Sequence, residues 1–322
     1  MNLFMMNANP HISILIPVYN VKDFILRCLE SVISQTYTGP LECLIVDDCG
    51  NDGSIALVED YLARYDGHID FRILHHECNR GLAAARNTAV ENATGDFIFH
   101  LDSDDWLEPT AIEHLVLKQQ ETDADIVSGQ AIEHTQKGIS ILNDSDYKTP
   151  RDMVYSMIEM TIVHVIWRRL IRRSLYVDNS IKAVEGVNVG EDYCTIPKLA
   201  YFAQNVSTLN EVVYHYNCLN PNSYMSSGFS IKRFRSDLSS IEILQNFFSD
   251  KDEYCVNRLK EIKKSFLDSS MRMAAITNNI EAYKEAVSIY GPISHGFGYW
   301  TTAWIIRMKD KLKKEIKRLL RR

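Results

Sequence analysis

Short apolar runs alternate with stretches of helical periodicity along the first hundred residues. His11 to Val18 reads His-Ile-Ser-Ile-Leu-Ile-Pro-Val, a β-branched run of strand length, and the Tyr19-Asn20 turn behind it leads into a helical stretch from Asp23 to Gln35. The unit repeats. Leu41 to Val46 reads as a second strand ending in Asp47-Asp48, with a turn over Gly50 to Ser54 and a helix from Ile55 to Tyr65. A third strand at Phe71 to His75, a helix-forming stretch from Gly81 to Glu91 and the apolar run Phe97 to Leu101 follow. Strands and helices alternating at this length predict an α/β domain, a mostly parallel sheet with helices on both faces and ligands beyond the carboxyl ends of the strands. The polar clusters Tyr19-Asn20, Asp47-Asp48 and Asp102 to Asp105 all fall at such ends.

Further on, Ile126 to Gly129 reads as another strand, and the polar stretch from His134 to Thr149 as a hairpin. Gly190-Glu191-Asp192-Tyr193 opens a helical stretch towards Ala203. From Ser230 to Tyr290 the period is helical, with Ile241, Leu244, Phe247 and Phe248 on one helix and Leu259, Ile262, Phe266 and Leu267 on the next. These apolar faces read as packing.

The densest chemistry lies where Phe97 to Leu101 ends and Asp102, Asp104 and Asp105 follow, with Ser103 between and Trp106 behind. Carboxylates this close at the end of a buried-looking strand suit a divalent cation and its phosphate ligand. The alternative is a plain turn and helix entry, for which Asp and Ser are common. Asp47 reads equally as a cap for the following turn. Glu191 and Asp192 read either as site groups or as charges favoured at a helix start.

Five segments occur together in order: Ile16-Pro17-Val18-Tyr19-Asn20, Val46-Asp47-Asp48 with Asp52-Gly53-Ser54, Asn79-Arg80-Gly81-Leu82 through Ala85-Arg86-Asn87, Leu101-Asp102-Ser103-Asp104-Asp105, and Gly190-Glu191-Asp192. In this the chain resembles the bacterial family 2 glycosyltransferases of GT-A fold, over roughly its first two thirds. The resemblance implies that Pro17 and Tyr19, with Asn20 as a weaker candidate, line the uracil and ribose pocket and that Asp48, with Asp47 weaker, accepts from the uracil imide. It implies that Arg86 lies near the ribose or diphosphate and pairs with a site aspartate. Asp102 and Asp104 would contact the ribose and a bound Mn2+ or Mg2+, with Asp105 also within reach of the ion and Ser103 beside them. Asp192, with Glu191 next to it, would be the base that takes a proton from the acceptor hydroxyl in an inverting displacement. Arg169, where relatives commonly carry a lysine, is a candidate for a diphosphate or acceptor phosphate, and His215 for a metal or phosphate contact.

Composition adds limits. At 322 residues and 46% hydrophobic, the chain has enough to build a sizeable α/β core and a smaller helical region. Its seven cysteines show no CxxC spacing, which points to reduced thiols rather than a disulfide framework or zinc site. Met1 to Pro10 lacks the basic start and apolar core of a signal peptide, and no stretch has the length of a membrane span. The net charge is −7, yet Arg307 to Arg322 carries nine Lys or Arg against two Asp or Glu, leaving −14 for the remainder. Ile305, Met308, Leu312, Ile316 and Leu319 recur there at helical spacing behind Trp300 and Trp304, so the tail predicts an amphipathic helix suited to an anionic membrane surface. Nothing in the acidic remainder supports nucleic-acid binding.

The expected organisation is a glycosyltransferase domain over 1–225, with its donor half at about 10–106 and acceptor half at about 107–225. A helical region over 226–290 and a basic membrane-associating tail over 291–322 complete it. The expected activity moves a hexose or N-acetylhexosamine from a UDP-sugar to a saccharide acceptor linked to undecaprenyl diphosphate. Relatives of this layout build O-antigen, capsule or exopolysaccharide, which places the enzyme in the cytoplasm, peripheral on the inner leaflet. A nucleotidyltransferase acting on a sugar phosphate is the alternative enzyme, but it calls for a glycine-rich basic loop that Pro17-Val18-Tyr19-Asn20 does not supply. A non-catalytic UDP-binding module is the third reading.

Overall fold

The computed structural model describes residues 9–144, 147–187, 189–220, 229–277 and 279–290. The chain divides into two compact units, 1–222 and 223–322. In the first, β1 (Ile12–Val18), α1 (Ile25–Ile33), β2 (Leu41–Asp47), α2 (Ser54–Leu62), β3 (Asp70–His75), α3 (Leu82–Asn92) and β4 (Phe97–His100) alternate as the periodicity predicts. There follow β5 (Trp106–Leu107), α4 (Ala111–Thr122), β6 (Ile126–Thr135), β7 (Gly138–Leu142), α5 (Pro150–Ile158), β8 (Arg169–Arg172), α6 (Ser174–Val177), α7 (Ile196–Phe202) and β9 (Val206–Asn217).

All nine strands described form one sheet in the order β3-β2-β1-β4-β8-β6-β9-β5, with β7 on β6. The β3 to β4 half is parallel, so β1, β2 and β4 end on one edge. Beyond β4 the sheet turns mixed, because β8 runs antiparallel to both β4 and β6. Its residues are fully buried up to Ile171, which is why the arginine-rich segment is a core strand despite its charge. The polar stretch after His134 is the predicted hairpin, β6 pairing with β7. The long strand β9, with no counterpart in the periodicity reading, runs parallel to β6 and brings its end beside β5.

The core lies between the sheet and helices α1 and α4, from Ile12, Ile14 and Ile16 through Cys28, Leu29, Phe97 and Phe99 to Leu115, Val213 and Tyr214. Ala83, Ala84 and Ala85 of α3 are buried, and such small side chains let the helix lie close on its neighbours. At the amino ends of the strands, the buried Glu42 accepts from Ser13 Oγ, Arg72 Nη2, the Thr94 amide and the Gly95 amide. It joins β1, β3 and the approach to β4.

The second unit holds α8 (Ile231–Phe248), α9 (Glu253–Thr277) and α10 (Ile280–Tyr290), which bury Phe234, Leu238, Leu267, Met271, Tyr283 and Ala286. Its helices fall where the period placed them. No helix among the described residues is long and apolar enough to cross a membrane. The basic tail 291–322 lies outside the described residues.

Burial pushes the Glu42 carboxyl up, but hydrogen bonds from Ser13, Thr94 and Arg72 outweigh it and hold the group below its ordinary value. Its contribution to stability is therefore full above the unfolded carboxylate range and is lost as pH falls through the lower folded value. Glu42→Ala is expected to cost about 3 kcal/mol in urea unfolding at pH 7, since several donors lose a buried charged acceptor. That loss should shrink as the pH is lowered below 4, roughly the unfolded carboxyl value.

Candidate active site

The edge where β1, β2 and β4 end carries the predicted residues. Pro17 is buried within β1, and Tyr19 beyond it is 44% exposed. Asn20 adopts a left-handed backbone, φ 53°, and its Oδ1 accepts from the Asn51 amide at 2.9 Å. Asp52 staples the same loop by accepting from the Lys22 amide at 2.8 Å and the Ser54 amide at 2.9 Å. The loops after β1 and β2 thus form one wall, with the Tyr19 ring at its surface.

The pair at the end of β2 is tied into the chain. Asp47 accepts from the Cys49 amide at 3.0 Å and pairs with His75 Nδ1 at 3.1 Å, so it caps its own turn. Asp48 is 3% exposed. Its Oδ1 meets His76 Nδ1 at 2.7 Å and the Arg80 amide at 2.8 Å, while Oδ2 accepts from the Gly81 amide at 2.8 Å. Three chain donors thus hold Asp48 as the brace that starts α3.

Arg86 lies at the centre, 3% exposed on the buried face of α3. Its Nη2 donates to Asp102 Oδ1 at 2.7 Å, and its Nη1 donates to Asp192 Oδ1 at 2.5 Å and to Glu191 Oε1 at 3.3 Å. Burial alone would lower the guanidinium pKa, but Asp192, Asp102 and Glu191 together hold it well above its ordinary value. The Asp192 carboxylate has its other oxygen, Oδ2, on the Ile166 amide at 3.0 Å. Burial pushes the Asp192 pKa up; Arg86 opposes that and Asp102 adds to it. Burial and the Asp192 charge likewise push Glu191 up. Asp192 precedes α7, and its carbonyl accepts from the Thr195 and Ile196 amides at the start of that helix.

Asp102, Asp104 and Asp105 divide the space after β4. Asp105 is 1% exposed, with Oδ2 accepting from Tyr214 Oη at 2.7 Å and Oδ1 from the Asn217 amide at 2.7 Å. Both oxygens thus meet donors from β9. Tyr214 Oη also accepts from the Asp102 amide at 3.1 Å. Asp104 Oδ2 accepts from Asn220 Nδ2 at 2.8 Å, and the Asp104 carbonyl from Asn217 Nδ2 at 3.2 Å. Burial, then the Asp102 charge, raises Asp104; burial and both neighbours push Asp105 well up. Ser103 is buried between them. Among the described residues no ready-made cluster of three His, Cys, Asp or Glu ligands forms.

Two weaker candidates lie elsewhere. Arg169 is fully buried and donates to Asp144 Oδ2 at 2.9 Å and to the carbonyls of Val163 and Val165. It fixes the segment whose Ile166 amide holds Asp192, and the phosphate-binding expectation is corrected on that ground. His215 has Nε2 on Glu108 at 2.7 Å and Nδ1 on His134 at 3.0 Å, with its ring stacked on Trp106 at 4.8 Å. Both ring nitrogens meet partners within the chain. Tyr214, Asn217 and Asn220 escaped the sequence reading. The alternation Val213-Tyr214-His215-Tyr216-Asn217 was the available signal, since it places Tyr214 on the opposite face from His215.

Comparison with known proteins agrees with this architecture. The family model described as glycosyl transferase family 2 matches residues 13–177. EpsH of Bacillus subtilis, a putative glycosyltransferase, is 32% identical over 270 residues, 79% of this chain and 72% of its own. The glycosyltransferase GlyA of Streptococcus pneumoniae is 32% identical over 224 residues, 66% of this chain, but the match spans only 31% of GlyA. Among solved structures, S. aureus TarS 1-349 in complex with UDP-GlcNAc superposes with a TM-score of 0.64 at 19% identity, covering 91% of this chain and 79% of TarS. The fold is GT-A, and the molecule is a glycosyltransferase. It belongs to glycosyl transferase family 2.

Removing the shared cation tests the geometry directly. Arg86→Ala leaves the buried Glu191 and the part-buried Asp102 and Asp192 facing one another, and a loss of roughly 3–5 kcal/mol is expected in urea unfolding. Arg86→Lys should recover only part of it, because an ammonium lacks the fork that reaches Asp102 and Asp192 together.

Proposed function

We propose that the protein is an inverting glycosyltransferase that moves a hexose or N-acetylhexosamine from a UDP-sugar to a hydroxyl of a lipid-linked saccharide in surface polysaccharide assembly. The observation that carries this reading is the Arg86 bridge: it holds Asp192 beside Asp102, a base beside the edge suited to a nucleotide diphosphate. Preference for UDP is supported by TarS, whose structure is a complex with UDP-GlcNAc.

In this reading Tyr19 covers the uracil face and Pro17 shapes the pocket below it, while Asp48 fixes the loop of Arg80 and Gly81 at its back. Asp102 and Asp104 face the ribose and diphosphate. The donor set fits a divalent cation, Mn2+ or Mg2+, because Asp102, Asp104 and Asp105 repel one another and the charge of Arg86 is already shared with Glu191 and Asp192. Asp104 and Asp102 would hold it, and when bound it offsets the charge that gathers on the departing diphosphate. Asp105 orients its neighbours through Tyr214 and Asn217.

Asp192 accepts the proton of the acceptor hydroxyl as that oxygen bonds to the anomeric carbon. The bond from that carbon to the diphosphate oxygen breaks on the opposite face, so configuration inverts. The Ile166 amide and Arg86 orient the carboxylate, and its raised pKa makes it a stronger proton acceptor than an ordinary aspartate. The lipid-linked acceptor and the inner-leaflet location rest on the basic, amphipathic sequence of 291–322 and are proposals on that sequence alone.

Nucleotide release from UDP-, GDP- and dTDP-sugars, with Mn2+ or EDTA and a synthetic lipid-diphosphate saccharide, tests the reading. One UDP-sugar should turn over with Mn2+ and not with EDTA. Asp192→Asn should lower kcat by about 10²–10⁴ while leaving UDP affinity within a few-fold. Turnover unchanged by that substitution would remove Asp192 from the mechanism. Asp104→Asn should weaken Mn2+-dependent UDP binding in calorimetry.

The pH dependence has a defined sign. The base works deprotonated, so kcat/KM should fall as pH drops through the Asp192 value, which lies above the ordinary carboxylate range. A profile flat down to pH 4, roughly that range, would contradict the assignment.

A further inference from the structure

Two of the seven cysteines stand apart from the rest. Cys28, Cys43, Cys194 and Cys255 are buried and Cys218 is partly so, whereas Cys49 and Cys78 are both exposed. They lie 29 residues apart in sequence, yet they are neighbours in the fold. Strands β2 and β3 run parallel with Asp47 opposite His75, and the pairing continues past the strand ends, where the His76 amide donates to the Asp47 carbonyl at 2.9 Å. Asp48 and His76 are joined side chain to side chain at 2.7 Å. One residue further, Cys49 Sγ lies 3.9 Å from the Glu77 carbonyl oxygen, whose carbon is bonded to the Cys78 nitrogen. Standard backbone dimensions then put the Cys49 sulfur within about 7 Å of the Cys78 Cα. By that register Cys49 stands opposite Glu77, one residue short of Cys78, so closing a disulfide takes rotation of both side chains together with a shift of the two loops beyond the strand ends.

We infer that Cys49 and Cys78 form an oxidisable dithiol whose disulfide constrains the rim of the donor cleft and weakens nucleotide binding. The second half of this rests on the UDP reading above. Cys49 precedes Gly50, whose Cα faces Asn20 so closely that an added Cβ would stand 3.0 Å from the Asn20 nitrogen and from its Oδ1. Cys49 itself is left-handed, φ 61°, so a pull on its side chain acts on a strained turn. Cys78 precedes Asn79, Arg80 and Gly81, and the amides of the last two hold Asp48. A bond between the sulfurs therefore draws the wall that carries Tyr19 towards the loop that starts α3.

The oxidant is a hydroperoxide. One thiolate attacks the peroxide, forming a sulfur–oxygen bond as the oxygen–oxygen bond breaks and water leaves after protonation. The second thiolate then displaces the hydroxyl from that sulfur, forming the disulfide and a second water. Two thiols lose two protons and two electrons, and hydrogen peroxide is reduced to two molecules of water. The exposure of this pair against the burial of most other thiols makes the reaction selective.

The test uses the full chain, reduced and then treated with a small excess of hydrogen peroxide. Peptides are mapped by mass spectrometry without reductant, and UDP affinity is measured by calorimetry in Mn2+ before and after. The expected result is a Cys49–Cys78 linked peptide and, if the linked rim reaches its binding geometry one tenth of the time, a Kd about tenfold weaker. Dithiothreitol should reverse both changes, and Cys78→Ser and Cys49→Ser should each abolish them. Peroxide that leaves no linked peptide overturns the inference, as does linked protein that binds UDP as tightly as the reduced form. Reduced protein that binds no UDP defeats the donor reading instead, and the peptide map then decides the dithiol by itself.

Discussion

One guanidinium organises the site. Arg86 sits on a helix between the second and fourth strands in sequence, yet it holds Asp102 at the end of β4 and Asp192 more than a hundred residues beyond itself. Burying these groups is costly, and only a planar cation with several fixed donors satisfies carboxylates from two directions at once. The arrangement makes the two sides of the cleft interdependent. The Arg86 charge offsets those of Asp102, Asp192 and Glu191, and they in turn offset the cost of burying it.

The remaining acidic residues fall into two kinds by what their oxygens meet. Asp47, Asp48, Asp52 and Asp105 spend theirs on chain donors and so set loop shapes. Asp102 and Asp192 turn an oxygen to the Arg86 guanidinium, and Asp104 accepts from Asn220 beyond the end of β9. Residues named together in a motif, such as Asp104 and Asp105, thereby do different work. The far end of β9 enforces that difference: Tyr214 serves Asp102 and Asp105 from one hydroxyl, and the Trp167 ring stacks on it at 4.6 Å to fix its position.

The first hundred residues were legible because each element there is local. Short apolar runs become β1, β2 and β4, and the motifs fall at their ends, where a parallel sheet places its ligand-facing loops. Arg86 pairing with a site aspartate was legible as well. What escaped was partner choice. Nothing local tells Asp48 from a free acceptor, because its donors at His76, Arg80 and Gly81 come from the next strand's loop. Arg169 reads in sequence as a phosphate candidate, and only the sheet order, which places β8 between β4 and β6, shows it to be core. His215 stands out in sequence as a histidine, but the strand turns that face to Trp106 and Glu108 and gives the site Tyr214 instead.

The most direct measurement is a double-substitution cycle in single turnover, with donor saturating, for Arg86→Gln, Asp192→Asn and the pair together. If Arg86 acts on catalysis by holding the base, the doubly substituted enzyme is about as slow as the slower single variant, since groups that work as a unit are far from additive. Losses that multiply would mean that the two residues act separately, and the bridge would then be a packing feature rather than the frame of the active site.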